Sequence, residues 1–379
     1  MNKKKGKMWL LFRATDFKSL MYPCFMFGRI LGIFPYKIDA LNIKACKSYY
    51  ILSTIITCTI CISNTIVLFD INKKIKFNSV SRLLERNCFY ILSGFIIVIT
   101  FILSEPRRRL LQTVLKLSSK LPQKSYQNIS RLIYAKDIFG LFFVIMLAIY
   151  NLETQGSMIH RIISVYIEML VFQMDMLYMN CVCVIKACFK QINDSLVNLR
   201  ELMVNSEPYT LGREMNNEER NTVILMELMI LKKQHMAISD TIQMLNKIFT
   251  LQLLFTIIRT FIFIIFNLYF YLLLRVQDSD SLSNVEKEVY CNTIIANVTF
   301  YMIKIVWIVW ACETSKIQAM EVKTTVIDMS NSNNDKEIEY ELELFSLQLM
   351  HRKNIFSAKG FVINAKFFTT VRDQSFTFV

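Results

Sequence analysis

Between Ser48 and Phe69 the chain runs 22 residues without an Asp, Glu, Lys or Arg, and from Asn87 to Ser104 it does so for another 18. A helix needs only about 20 predominantly apolar residues to cross the hydrocarbon core of a bilayer. Four further stretches repeat the pattern with isolated charges: Leu132 to Leu152 with Lys136 and Asp137, Ile162 to Ile185 with Glu168 and Asp175, Ile248 to Leu274 with Arg259, and Val289 to Cys312 with Lys304. The expected fold is all-α, a polytopic transmembrane helical bundle. Composition agrees: 54% of residues are hydrophobic, 20% are charged and the mean hydropathy is +0.36, more apolar surface than a soluble domain of 379 residues can hide. With only 8 glycines and 5 prolines, long helices are favoured over a turn-rich barrel.

The net charge of +14 could point to nucleic acid, but no basic patch with interleaved aromatics is concentrated anywhere, so no nucleic-acid partner is expected. In a chain this apolar the bias records membrane orientation instead. With the N-terminus inside, 32 of the 44 Lys and Arg fall in inner segments and 8 in outer ones. The amino end is therefore expected in the cytoplasm. The first apolar stretch, Met8 to Phe12, is too short for a signal peptide.

Residues 1–47 then form a cytoplasmic N-terminus, 48–312 a six-span bundle with inner loops at 104–136 and 186–247, and 313–359 a further cytoplasmic segment. The long inner loops are helical in pattern. Ile192, Leu196, Leu199 and Met203 carry helical spacing past the fourth span, and Ile224, Leu228, Leu231, Ile238, Ile242 and Leu245 carry it ahead of the fifth. Between them the polar stretch from Asn205 to Glu219, with Pro208 and Gly212, reads as a flexible tip. An amphipathic helix with Ile338, Leu342, Phe345 and Leu349 on one stripe follows the sixth span, its start marked by the polar run Ser330 to Asp335.

Enzyme chemistry is poorly supplied. The three histidines, His160, His235 and His351, are scattered, and no glycine-rich phosphate loop is present. Cys58 and Cys61 form a lone pair inside an apolar run, where a metal site would need further ligands at the same depth. No enzyme activity, cofactor or metal is expected.

From Phe345 to Phe361 the chain reads FSLQLMHRKNIFSAKGF. A snorkelling basic flank accounts for His351-Arg352-Lys353 but not for the Phe-x-Ala-x-Gly-Phe that follows. The segment resembles the signature that precedes the last membrane helix of insect gustatory receptors, with Gln348, His351, Arg352, Phe356, Ala358, Gly360 and Phe361 at the matching positions. The family's seventh span carries Thr-Tyr and then Gln-Phe. Here residues 360–379 contain Lys366, Arg372 and Asp373 and neither pair, so they read as the truncated start of that span. The resemblance implies a plasma-membrane chemoreceptor of the ligand-gated cation channel type, a homo- or heterotetramer embedded in membrane lipid and gated by a small-molecule tastant. It also implies that this chain, lacking a pore-lining helix, does not conduct alone.

Glu168 and Asp175 are seven residues apart, two turns along one helix face. Asp175 and Arg259 both fall near mid-membrane by residue count and are expected to pair between the fourth and fifth spans. Lys304, in the inner half of the sixth, either snorkels inward or lines a polar cavity. A ligand pocket is expected in the outer half. Its candidate residues are Tyr166, Glu168 and Phe172 on the fourth span, Phe266, Tyr269 and Phe270 on the fifth, and Asn297, Phe300 and Tyr301 on the sixth. Aromatic walls with a few polar groups suit a small organic ligand, although aromatics near a bilayer boundary also form interface belts. Two other classes compete. A G-protein-coupled receptor would need seven spans and an outside N-terminus, against the charge bias. A transporter would show internal repeats or Gly/Pro-broken helices, and neither is visible.

Overall fold

The computed structural model describes residues 14–39, 42–73, 80–154, 158–204, 217–276, 284–331, 335–358 and 361–362. The polar tip at 205–216, residue Gly360 and the approach to a seventh span from 363 onward lie outside them.

All six expected spans are helices: α2 (Lys47–Lys73), α3 (Val80–Ile102), α5 (Gln123–Thr154), α6 (Met158–Val204), α7 (Asn217–Val276) and α8 (Asn284–Asn331). Each contains a window long and apolar enough to cross a membrane. Two-thirds of that window is buried in α6 and only 17% in α2, so α6 is the axis of the bundle and α2 shows its apolar residues outward. Between α3 and α5 the basic stretch forms α4 (Ser104–Ser118), with Pro106 tolerated in its first turn.

The chain also folds before its first span. Helix α1 (Phe17–Ile30) opens with a capping box in which Asp16 accepts from the Ser19 backbone N–H at 2.7 Å and the Ser19 hydroxyl accepts from the Asp16 N–H at 3.1 Å. It lies against α6, where the Gln173 amide donates to the Cys24 carbonyl at 2.7 Å and the Tyr166 hydroxyl to the Leu31 carbonyl at 2.7 Å. The chain then reverses at Gly32, whose φ of +70° is a conformation that glycine adopts without strain, and whose missing Cβ would sit 2.8 Å from Ile56. A short antiparallel hairpin, β1 (Tyr36–Ile38) with β2 (Ile43–Ala45), returns to α4, where Arg108 donates to the Ile43 carbonyl at 2.8 Å. The segment thus packs one face of α1 on α6 and returns its hairpin to α4.

At that same end α6, α7 and α8 extend beyond the spans and pack as helical rods. Ile192, Leu196, Leu199, Ile224, Leu228, Leu231, Ile238, Ile242 and Leu245 are all buried, as the spacing predicts, and Met203 is partly so. Helix α9 (Lys336–His351) closes the assembly against α7 and α8, burying Ile338, Leu342, Phe345 and Leu349. Asp335 caps it, accepting from the backbone N–H groups of Glu337 and Ile338. A two-residue pairing of β3 (Ser357–Ala358) with β4 (Phe361–Val362) follows.

The described residues of the Gln348-to-Phe361 segment lie in this anchor. Gln348 donates to the Lys232 carbonyl at 3.0 Å, Arg352 pairs with Asp240 at 2.9 Å, and Phe356 is buried. His351 is exposed in the last turn of α9, Ala358 lies in β3 and Phe361 in β4. His235 sits fully buried between the Phe189 and Phe345 rings, with the Gln348 and Asn354 amides at 3.1 and 3.3 Å from its two nitrogens.

Burial and the nearby Arg352 charge push the His235 pKa down to about 4. The residue lies 13 positions ahead of Ile248, outside the spanning part of α7. It is therefore neutral in the folded protein, whereas an unfolded chain gains a proton below pH ~6.5. Its contribution is present above that value and lost as pH falls toward 4, by about 3 kcal/mol in all. The expected result is that this component of the acid slope disappears in His235→Gln, read from unfolding of both proteins between neutral and acid pH. An unchanged slope would contradict the assignment.

Candidate ligand-binding cavity

Tyr178 of α6 meets Phe249 of α7 with ring centroids 5.4 Å apart, and the two helices run antiparallel. Ten residues back along α6 and ten forward along α7 bring Glu168 level with Arg259, and these two form an ion pair in which Arg259 is buried and Glu168 half-buried. The Tyr301 hydroxyl donates to the same Glu168 oxygen at 2.8 Å. Asp175, two turns deeper, pairs instead with Lys304 at 3.1 Å, both side chains being buried. The expected Asp175–Arg259 pair is therefore corrected. Residue count gives depth along a helix, but the antiparallel register and the face each residue occupies decide the partner. Among the described residues no hydrogen-bond partner meets Arg259 Nε or Nη1, and the Phe89 ring lies 4.7 Å from its guanidinium carbon.

Above this floor a cavity of about 220 Å³ opens between α2, α3, α5, α6, α7 and α8. It is reached at the last turns of α2, α5 and α7 and the first turns of α3, α6 and α8, the end opposite the anchor. Phe89, Tyr90, Val144, Leu147, Phe263 and Ile294 supply its apolar wall. Ser164, Asn267, Tyr290 and Thr293 add hydrogen-bonding groups, and Arg82, Glu85, Arg86, His160 and Arg161 stand among the lining toward the helix ends.

Four of the nine expected pocket residues line this cavity: Glu168, Asn297, Phe300 and Tyr301. The other five lie elsewhere. Tyr166 turns to α1, and the Phe172 ring fills the space beside Gly140, where a Cβ would lie 2.5 Å from it. Phe266, Tyr269 and Phe270 form their own cluster on α7, with Phe270 and Tyr269 centroids 5.5 Å apart and Arg82 5.7 Å from the Phe270 ring. Sequence reasoning missed the α3 wall entirely. Its signal was legible: Arg82, Glu85, Arg86 and Phe89 recur at three- and four-residue spacing on one helical face. Among the described residues no group of three or more His, Cys, Asp or Glu could hold a metal. The chemistry on offer is recognition: a small enclosed volume with aromatic walls, hydrogen-bond partners and fixed charges.

The profile of the 7tm chemosensory receptor family matches residues 21–370. The chain belongs to this family. Two solved structures share its fold. The insect olfactory receptor OR5 from Machilis hrabei is 9% identical, with a TM-score of 0.66 over 95% of this chain and 96% of that one. The same receptor in complex with eugenol is 10% identical, with a TM-score of 0.64 over the same shares. No curated protein sequence matches the chain. As a chemosensory receptor it is a multi-pass membrane protein.

Proposed function

We propose that this receptor is a gustatory-type subunit, a ligand-gated cation channel component of the plasma membrane with its N-terminus in the cytoplasm. It works as a homo- or heterotetramer and binds a small-molecule tastant in the 220 Å³ cavity. One observation carries the reading. The cavity opens at the ends of the helices whose adjoining segments hold only 8 of the 44 Lys and Arg, the face that charge asymmetry assigns to the outside. A stimulus in the external medium meets that face first. The motif from Phe345 to Phe361 supports the gustatory rather than the olfactory branch. The eugenol complex of OR5 supports small-molecule recognition on this fold.

The test is a binding screen with the full chain in lipid nanodiscs against sugars, alkaloids, amino acids, organic acids and volatile phenols. Water-soluble tastants are expected to bind, with at least tenfold loss in Asn297→Trp, which fills the cavity from a buried position, about the cost of one lost hydrogen-bonded group plus steric exclusion. Ser164→Phe, from the α6 wall, serves as an independent plug. Binding confined to volatile phenols would sink the gustatory assignment. Binding indifferent to both plugs would sink the site.

A further inference from the structure

Resting on that reading of the cavity, we propose that it selects a small organic anion, a carboxylate recognised by arginines at its mouth with an apolar body in the aromatic wall behind. The outer segments hold four arginines, Arg82, Arg86, Arg161 and Arg275, and three of them line this one cavity. Basic residues are depleted on an outer membrane face, so their concentration around a single opening is a local feature rather than a bias of the whole surface.

Two carboxylates share the lining, Glu85 and Glu168. Glu168 is already engaged by the Arg259 guanidinium and the Tyr301 hydroxyl. With Glu168 and Arg259 matched to each other, Arg82 and Arg86 stand against the single carboxylate of Glu85 among the described lining residues of α3, an excess of one positive charge on that wall. Arginine is also the side chain suited to the deficit: its planar fork matches a carboxylate with two parallel hydrogen bonds, and it stays charged at any physiological pH. Arg82 and Arg86 are one helical turn apart on α3, so both present to the same side. Behind them Phe89, Phe263 and Phe300 give a surface for a ring or short alkyl chain, and Asn297 offers a polar contact deeper in. A carboxylate entering this mouth meets donors first and apolar wall second. A cation meets repulsion, and a hydrocarbon must leave the arginines solvated at its back.

The experiment uses the full chain in phosphatidylcholine nanodiscs and four ligands with one body and different heads: phenylpropionate, phenylpropanol, phenylpropylamine and propylbenzene. Phenylpropionate is expected to bind about tenfold more tightly than the alcohol, the value of one charge-assisted hydrogen bond in place of a neutral one. The amine should bind least. Arg86→Gln, and separately Arg82→Gln, should shrink the carboxylate's advantage over the alcohol, with Arg86→Lys keeping part of it. Equal binding of alcohol and carboxylate, preference for the amine or propylbenzene, an advantage that survives both Gln variants, or no binding by any of the four would each overturn the inference. Binding of the alcohol or propylbenzene as tight as that of the carboxylate, and abolished by Asn297→Trp, would overturn anion selectivity alone and keep the cavity as the ligand site. Binding of these two that is indifferent to that plug would count against both.

Discussion

Lys304→Met is expected to destabilise the receptor by about 3–5 kcal/mol, the cost of leaving a buried charge without its partner. The substitution keeps the length and apolar stem of the side chain, so packing is nearly conserved. What it removes is the ammonium 3.1 Å from Asp175, whose side chain is fully buried. Asp175 then either keeps an uncompensated charge inside the bundle or takes up a proton, and both states cost free energy. Adding Asp175→Leu should restore most of the loss, because removing both members of a buried pair is often neutral or stabilising. Equilibrium unfolding of the single and double variants in lipid measures this. A single variant as stable as the parent, or a double variant worse than the single, would contradict the pairing.

Phe345→Ala is expected to cost about as much, roughly 3–5 kcal/mol for truncating a fully buried ring. Its effect should be local. Phe345 stands at the centre of the α9 stripe against His235, with ring centroids 5.7 Å apart, and among the described residues α9 packs chiefly against the extended ends of α7 and α8. Amide exchange should therefore quicken in α9 and in α7 around His235, while residues lining the cavity keep their protection. Uniform loosening of the whole chain would show instead that anchor and bundle unfold as one unit.

Much of this architecture could be read before any coordinates. Uncharged length located the six spans, and helical spacing carried α6 and α7 beyond the membrane, because both signals survive whatever the neighbours do. Asp335 as a cap and the Ile338-to-Leu349 stripe belong to the same kind of local information. Helix α1 did not. Its 14 residues include Lys18, Pro23 and Arg29, and its burial comes from Gln173, Tyr166 and Tyr134, which lie more than a hundred positions away. The ion pairs failed for a different reason: depth follows from counting, whereas azimuth and register do not. The cavity was half legible for a third reason. An aromatic ring in a span looks the same in sequence whether it meets lipid, a neighbouring helix or a ligand, so Phe172 and Phe300 were indistinguishable until Gly140 and the cavity had been placed.

Helices α6, α7 and α8 contain neither glycine nor proline in 47, 60 and 48 residues, and each runs unbroken from the cavity to the anchor. At ~1.5 Å per residue these are shafts of about 70 to 90 Å, with none of the usual kink points. Any movement that a bound molecule imposes at one extremity must travel as tilt, slide or rotation of whole rods about their crossing points, since they have no joint at which to fold. The cavity and the anchor are thus joined by three uninterrupted rods that pack against one another along the buried middle of α6.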